Sequence, residues 1–442
     1  MEGRARRREE SGATWKFLLL SVAGLILFFI PVCGGNIPLV LLINELKTLL
    51  GERLPLLSGI SCLILGGGAL LSLLLGKGWI KDCVSGAGPR LYLWILAAVL
   101  FLLKLFHAPV FFLEDPRIGG RIFDMGATVF ITIAVAGSLV IFIIQSGLVD
   151  FIAVLSEPFM RPLFCLPGEA AVNILSSFVS SASVGVYLTE QYYKRGSYTK
   201  RQACAVVANY SVISVGYIGV IASLAGIGER YGSLLIASFL SVLIMGAIMV
   251  RIPPISGIED CLIDGRRREE KTERISPAER FRLALTAGRK CAESFGPEAF
   301  LKNLKQSLLF SQKIVGVMIP VVTFVLILVY YTPIFYWLGR PVTPLLALVR
   351  LPDPALAAPS VLIEIVEVSL PSVLIGQTEA GVQTRFFVAL LSIIQIIFFS
   401  EAGNAILASE IPLGVRKLVM IFLIRTLIGI GIAAVFSKFF CR

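Results

Sequence analysis

The chain is poor in the residues most chemistry needs. It has one histidine, His107, and only 16% charged residues in a length of 442. A lone imidazole builds neither a metal site nor a triad. The eight cysteines are scattered without a CxxC pair or other metal-ligand spacing, so they read as reduced packing residues. No Walker motif, HExxH or GxSxG string occurs. These absences argue against an enzyme, a resident metal or cofactor, and a nucleotide-driven pump. Any transport is then passive or ion-coupled.

What the chain has is apolar surface. The hydrophobic fraction is 56% and the mean hydropathy +0.86, values that exclude an ordinary soluble domain. Continuous apolar runs, rather than alternating ones, predict helices and not barrel strands. The predicted spans are 16–33, 56–76, 91–107, 128–148, 203–226, 231–250, 308–331, 386–409 and 414–437. Segments 170–193 and 355–378 are polar in the middle and predict hairpins that enter and return. The first span follows Arg4, Arg6, Arg7 and Arg8 but lacks a small-residue cleavage site, so it reads as a retained helix.

The net charge of +11 has a topological reading that needs no nucleic acid. With the N-terminus in the cytoplasm, one side collects Lys77, Lys81, Arg90, Lys194, Arg195, Lys200, Arg201, Arg416 and Lys417. The same side holds the linker 253–306 with Arg266, Arg267, Arg268, Lys271 and Arg274. Within that linker, "SPAERFRLALTAGRKCAES" has helical amphipathic spacing and predicts a tether on the membrane surface. The C-terminus then falls outside.

This span count yields an internal repeat. Residues 128–252 and 307–442 each hold a span, a proline-punctuated stretch, a polar-centred hairpin and two further spans; residues 1–127 form an N-terminal helical scaffold. "EPFMRPLFCLPGEA" (157–170) answers to "RPVTPLLALVRLPDPA" (340–355). The opening span of the first repeat runs outside to inside and that of the second inside to outside. The predicted fold is an all-α polytopic membrane protein with two inverted-topology repeats, re-entrant hairpins and broken helices. Such repeats mark secondary transporters, whose site lies where the halves meet.

Ser176, Ser177, Ser180, Ser181, Ser183 and Gly185 interrupt the first hairpin; Glu364, Glu367, Ser369 and Pro371 interrupt the second. Aligning Arg201 with Arg385 places Ser180 and Ser183 on Glu364 and Glu367. The helices that follow are also interrupted, by Asn209, Ser211, Ser214 and Gly216 and by Ser400, Glu401, Gly403 and Asn404. A helix broken at mid-depth frees backbone groups that hydrocarbon cannot satisfy, and a polar solute or coupling cation can take them. An acidic residue inside a span faces a partner or water, which makes Glu367 and Glu401 the central candidates. The expected substrate-binding set is Ser180, Ser181, Ser183, Gly185, Asn209, Ser211, Ser214, Glu364, Glu367, Ser400, Glu401 and Asn404. The competing reading is that these serines and carboxylates only fix helix packing.

The run "PLFCLPGEAAVNILSSFVSSASVGVYLTEQYYKRGSYTKRQA" resembles the YjiH family, whose members carry the nucleoside-recognition or Gate domain. The C-terminal part is similar to the smaller YjiG family, so the chain resembles a fusion of the two. "SSASVG" (180–185), "EVSLP" (367–371) and "SEAGNAIL" (400–407) are the most specific parts. The same domain type occurs in concentrative nucleoside transporters, ferrous-iron transport proteins and spore-maturation proteins. The resemblance implies a bacterial inner-membrane protein with a transport-like core, carrying a nucleoside or related small polar solute by alternating access, with H⁺ or Na⁺ as candidate coupling ion. It leaves open an exporter of amino acids or other metabolites, and a non-transporting assembly factor. "GQTE" (376–379) binds nucleobase in a hairpin of the nucleoside transporters, but here it falls after the hairpin, in an outer connection. Besides solute and lipid bilayer, the expected partner is a second copy, met through the helices of 16–107.

Overall fold

The computed structural model describes residues 2–30, 38–75, 90–139, 141–267, 276–293 and 295–441. Lys77, Lys81, Arg268, Lys271 and Arg274, used above for orientation, lie outside the described residues. Among the described residues every regular element is helical. Five helices are long and apolar enough to cross a membrane: Leu41–Leu74, Pro116–Ile143, Gly228–Met249, Pro297–Tyr331 and Val415–Phe440. Large apolar side chains on them, including Ile60, Ile64, Leu71, Leu74, Phe324 and Leu427, are exposed. Water would not tolerate that much continuous apolar surface, whereas lipid does. The chain is a multi-pass membrane protein.

The two repeats are recognisable element by element. The first runs through Arg121–Leu139, Leu148–Phe164, hairpin one (Glu169–Val179 and Ala182–Lys194), broken helix one (Lys200–Tyr210 and Val215–Leu224) and Tyr231–Met249. The second runs through Pro297–Tyr331, two short helices (Ile334–Gly339 and Thr343–Leu348), hairpin two (Pro354–Ile363 and Leu370–Gly376), broken helix two (Val382–Gln395 and Ala402–Ala408) and Val415–Phe440. The opening helices pack against each other and against Leu54–Leu75 and Arg90–Leu105. Small residues allow the close approach: Gly66 faces the Trp94 carbonyl and the Ala98 methyl.

The outer ends of the two hairpins lie at opposite ends of the molecule. Lys194, at the end of hairpin one, pairs with Glu410 at 3.0 Å, just beyond broken helix two. Gly376, at the end of hairpin two, sits so close to the Leu224 carbonyl that a Cβ there would collide with it. Leu224 ends broken helix one, which starts beside hairpin one and runs away from it. The hairpins therefore enter from opposite faces, and the repeats are inverted.

Three boundaries differ from the expectation. The first helix, Glu2–Phe29, takes in the arginine-rich start, and Pro38–Leu50 precedes the second span. The opening helix of repeat two begins at Pro297 rather than 308, shortening the linker. The amphipathic linker stretch forms Pro277–Glu293 and is docked rather than free. Arg280 donates to the Val154 carbonyl at 3.4 Å, and Lys16 donates to the Phe295 carbonyl at 2.8 Å. Gly147, with φ +85°, rests against the Gly288 carbonyl, so the approach needs glycine on both sides of the contact.

Candidate functional site

Hairpin one turns at Ser180 and Ser181. Ser181 caps the second limb, its Oγ accepting from Val184 N at 3.4 Å, and its hydroxyl also meets Ser183 Oγ at 3.0 Å. Ser180 Oγ bonds back to the Ser176 carbonyl at 2.7 Å. Gly185 faces the other limb, where a Cβ would strike Ser177 Oγ, so the missing side chain lets the limbs close. Asn173 Nδ2 donating to Thr189 Oγ1 at 2.6 Å ties the limbs further out.

Hairpin two turns over 364–369, a longer tip than the 180–181 of hairpin one. The expected equivalence of Ser183 and Glu367 does not hold in space. Ser183 is already inside a helix, whereas Glu367 belongs to the tip. The extra tip residues lie against the interruption of broken helix two. There Phe399 N donates to the Ile365 carbonyl at 2.8 Å and Ser400 N to the Val366 carbonyl at 2.9 Å. These bonds take up backbone groups that the broken helix frees. Ile396, at φ +67°, ends the first half of that helix.

Each tip then reaches across to the other repeat. Glu401 Oε1 accepts from Ser183 N at 3.0 Å and Ser183 Oγ at 2.6 Å, joining tip one to broken helix two. Glu367 Oε1 accepts from Tyr217 OH at 3.2 Å, joining tip two to broken helix one. Glu367 Oε2 accepts from Ser369 and lies 3.9 Å from Arg121. Lys47 lies within electrostatic range of Glu401. Ser180, Ser181, Ser214, Tyr217, Phe399 and Glu401 are half-buried, whereas Ser183, Glu367 and Ser400 are buried.

Arg425 was not among the expected residues and is the centre of the arrangement. It is fully buried, midway along Val415–Phe440. Nε donates to the Gln395 carbonyl at 2.9 Å, Nη1 to Asn209 Oδ1 at 2.6 Å, and Nη2 to the Ile394 carbonyl. One side chain thus holds the last residues before both helix breaks, one break in each repeat. Glu364 is also fully buried and within electrostatic range of Arg425.

The remaining expected residues are placed as follows. Asn209 is held by Arg425, Ser211 is buried in the first break, and Ser214 caps Val215–Leu224 by accepting from Tyr217 N at 3.3 Å. Asn404 donates to the Phe399 carbonyl within the second break. GQTE lies at the outer end of hairpin two, with Gln377 and Glu379 exposed, away from the tips. Arg425 did carry a sequence signal: an arginine at the middle of an apolar 26-residue helix, away from Arg416, Lys417 and Lys438 near its ends, is itself a functional flag. Tyr217 and Arg121 carried none, because tyrosine and a span-end arginine are ordinary there.

Comparison with known proteins bears on the first repeat. Residues 127–228 match the family described as Gate, nucleoside recognition. That match covers repeat one up to the end of its broken helix. An uncharacterized protein of Alkalihalophilus pseudofirmus is 29% identical over 453 aligned positions, covering 98% of this chain and 96% of that protein. No solved structure matches the chain at a significant level.

Proposed function

We propose that this chain is a secondary transporter of a small polar solute, a nucleoside or related metabolite, working by alternating access in a bacterial cytoplasmic membrane. The N-terminus would face the cytoplasm and the C-terminus the outside. The observation that carries the reading is the crossed pair of contacts, Ser183 with Glu401 and Tyr217 with Glu367. Each hairpin tip touches the broken helix of the opposite repeat, so a solute lodged between them would contact both halves. Hydroxyls and carboxylates suit ribose hydroxyls, base amines or an amino group. Breaking one crossed contact while keeping the other would open the site to one side only.

Reconstitution of the full chain in proteoliposomes, with uptake and efflux of labelled nucleosides, bases and amino acids, tests this. Flux of at least one class is expected. Glu401→Gln should weaken it roughly tenfold or more, the equivalent of one charged hydrogen bond. Absence of flux in both directions would sink the transport reading. Normal flux in both Glu367→Gln and Glu401→Gln would sink the site while sparing the fold.

A further inference from the structure

Glu364 stands apart from the other two carboxylates. Glu367 and Glu401 both accept hydrogen bonds. Glu364 has zero exposure, and neither of its oxygens has a hydrogen-bond partner among the described residues. An ionised carboxylate so placed would have lost its hydration and gained nothing in return.

The neighbouring guanidinium makes the point sharper. A carboxylate is the strongest acceptor an arginine can meet, and the planar fork matches it with two bonds. Yet Arg425 turns its donors to neutral oxygens, those of Gln395, Asn209 and Ile394. That choice fits a Glu364 that bears its proton. The other groups around it agree. From its own tip comes Glu367, which holds the donors of Ser369 and Tyr217 and lies near Arg121. Of two adjacent carboxyls, the one without donors keeps the proton. From Val382–Gln395 the nearby polar group is the neutral Gln395 amide, engaged with the Val361 carbonyl and Thr426. Arg385, on the same helix, is bound at its far end to Ala380 and Thr378.

We propose that Glu364 is the proton carrier of this transporter and that its deprotonation draws Arg425 off the ends of both broken helices. This names the coupling ion of the site proposed above and rests on that reading. The step is balanced simply: the Glu364 O–H bond breaks, the proton passes to water on the open side, and the carboxylate left behind becomes the acceptor for Arg425. Asn209 in repeat one and the carbonyls of Ile394 and Gln395 in repeat two then lose their shared donor together. Protonation of one residue is thereby linked to the hold between the halves.

Infrared difference spectra of the full chain in lipid, taken between neutral and alkaline pH, test the assignment without needing the solute. A component of the neutral carboxylic acid C=O stretch should be present at neutral pH and vanish on alkalinisation. It should be lost in Glu364→Gln and kept in Glu367→Gln and Glu401→Gln. Glu364→Asp, which keeps an acid on a shorter stem, should shift the component and serves if the glutamine variant fails to fold. An acid component unchanged in Glu364→Gln or Glu364→Asp overturns the proposal. So does its absence from the wild type, or its loss on adding sodium at fixed pH, which would assign the carboxylate to a metal cation. Failure of nucleoside flux in the vesicle assay leaves these bands untouched, so the two readings fail separately.

Discussion

Arg425→Ala is the most informative perturbation of this molecule. The wild-type side chain gives its donors to Asn209 Oδ1 and the carbonyls of Ile394 and Gln395, all buried. The Ile394 carbonyl lies at the end of the first half of a broken helix, where no following turn supplies a replacement N–H, whereas the Gln395 carbonyl keeps its bond from Ile397 N at 2.8 Å. Each orphaned buried acceptor costs about 1–3 kcal/mol, and the vacated arginine stem leaves a void. Against this, the variant escapes the desolvation of a buried cation. The measured balance for deleting one member of a buried charged network is a loss of about 3–5 kcal/mol. That is a large share of the roughly 5–15 kcal/mol typical of folded proteins. Thermal unfolding in lipid nanodiscs should therefore show a clear fall in Tm, smaller for Arg425→Lys, which keeps the charge but reaches fewer acceptors. The double variant with Glu364→Gln refines the test. With Glu364 neutral, the coupling between the two positions should stay below about 0.5 kcal/mol; an ion pair would give roughly 2 or more. An Arg425→Ala protein as stable as the wild type would refute the keystone role outright.

Ser183→Ala removes the 2.6 Å bond to Glu401 but leaves the backbone N–H, so a loss of about 1.5–3 kcal/mol in solute affinity or stability is expected, read from binding isotherms and Tm. Gly376→Ala should destabilise by more than about 1 kcal/mol, because the added methyl meets the rigid Leu224 carbonyl rather than a flexible side chain; Tm checks it. The Arg117 guanidinium beside Asp115 holds its carboxyl well below the usual carboxylate range. A depressed folded-state value contributes stability that is present above about pH 4, the ordinary aspartate range, and lost as pH falls through the shifted value. Asp115→Asn should flatten that acid limb of a Tm-against-pH curve.

The repeats, their inversion and the interrupted helices were legible because polar residues inside apolar runs are costly and therefore conspicuous. Ser183, Glu367 and Glu401 stood out for that reason, and the structure brings all three to contacts between repeats. The register of the two tips was not legible. The tip of hairpin two is longer than that of hairpin one, and residue-by-residue alignment cannot see an insertion inside a diverged turn. The packing of Gly185 against Ser177 was not legible, because glycine signals ligand approach and limb packing alike. Arg425 had the same sequence signature as the carboxylates, and applying the intramembrane-charge argument to cations would have found it. The docking of Pro277–Glu293 was hidden because its polar composition suits water as well as it suits a neighbour.

The two hairpins are not held with equal strength, although the repeats share a plan. Tip two is stitched to the interruption beside it by backbone bonds from Phe399 and Ser400 and by the Gln395 side chain reaching the Val361 carbonyl. These bonds lie within one repeat and do not depend on ionisation. Tip one meets the second repeat through Ser183 and the half-buried carboxylate of Glu401. Water or a solute can compete for a half-buried carboxylate, whereas the backbone pairs of tip two rest on no side chain that can turn away. Hydrogen exchange should accordingly be faster at the Ser183 amide than at Phe399 and Ser400, and Glu401→Gln should widen that gap without touching the second tip. Equal protection at both places would mean that hairpin one is as firmly clamped as hairpin two, and that the two halves cannot separate at the point where the crossed contact is weakest.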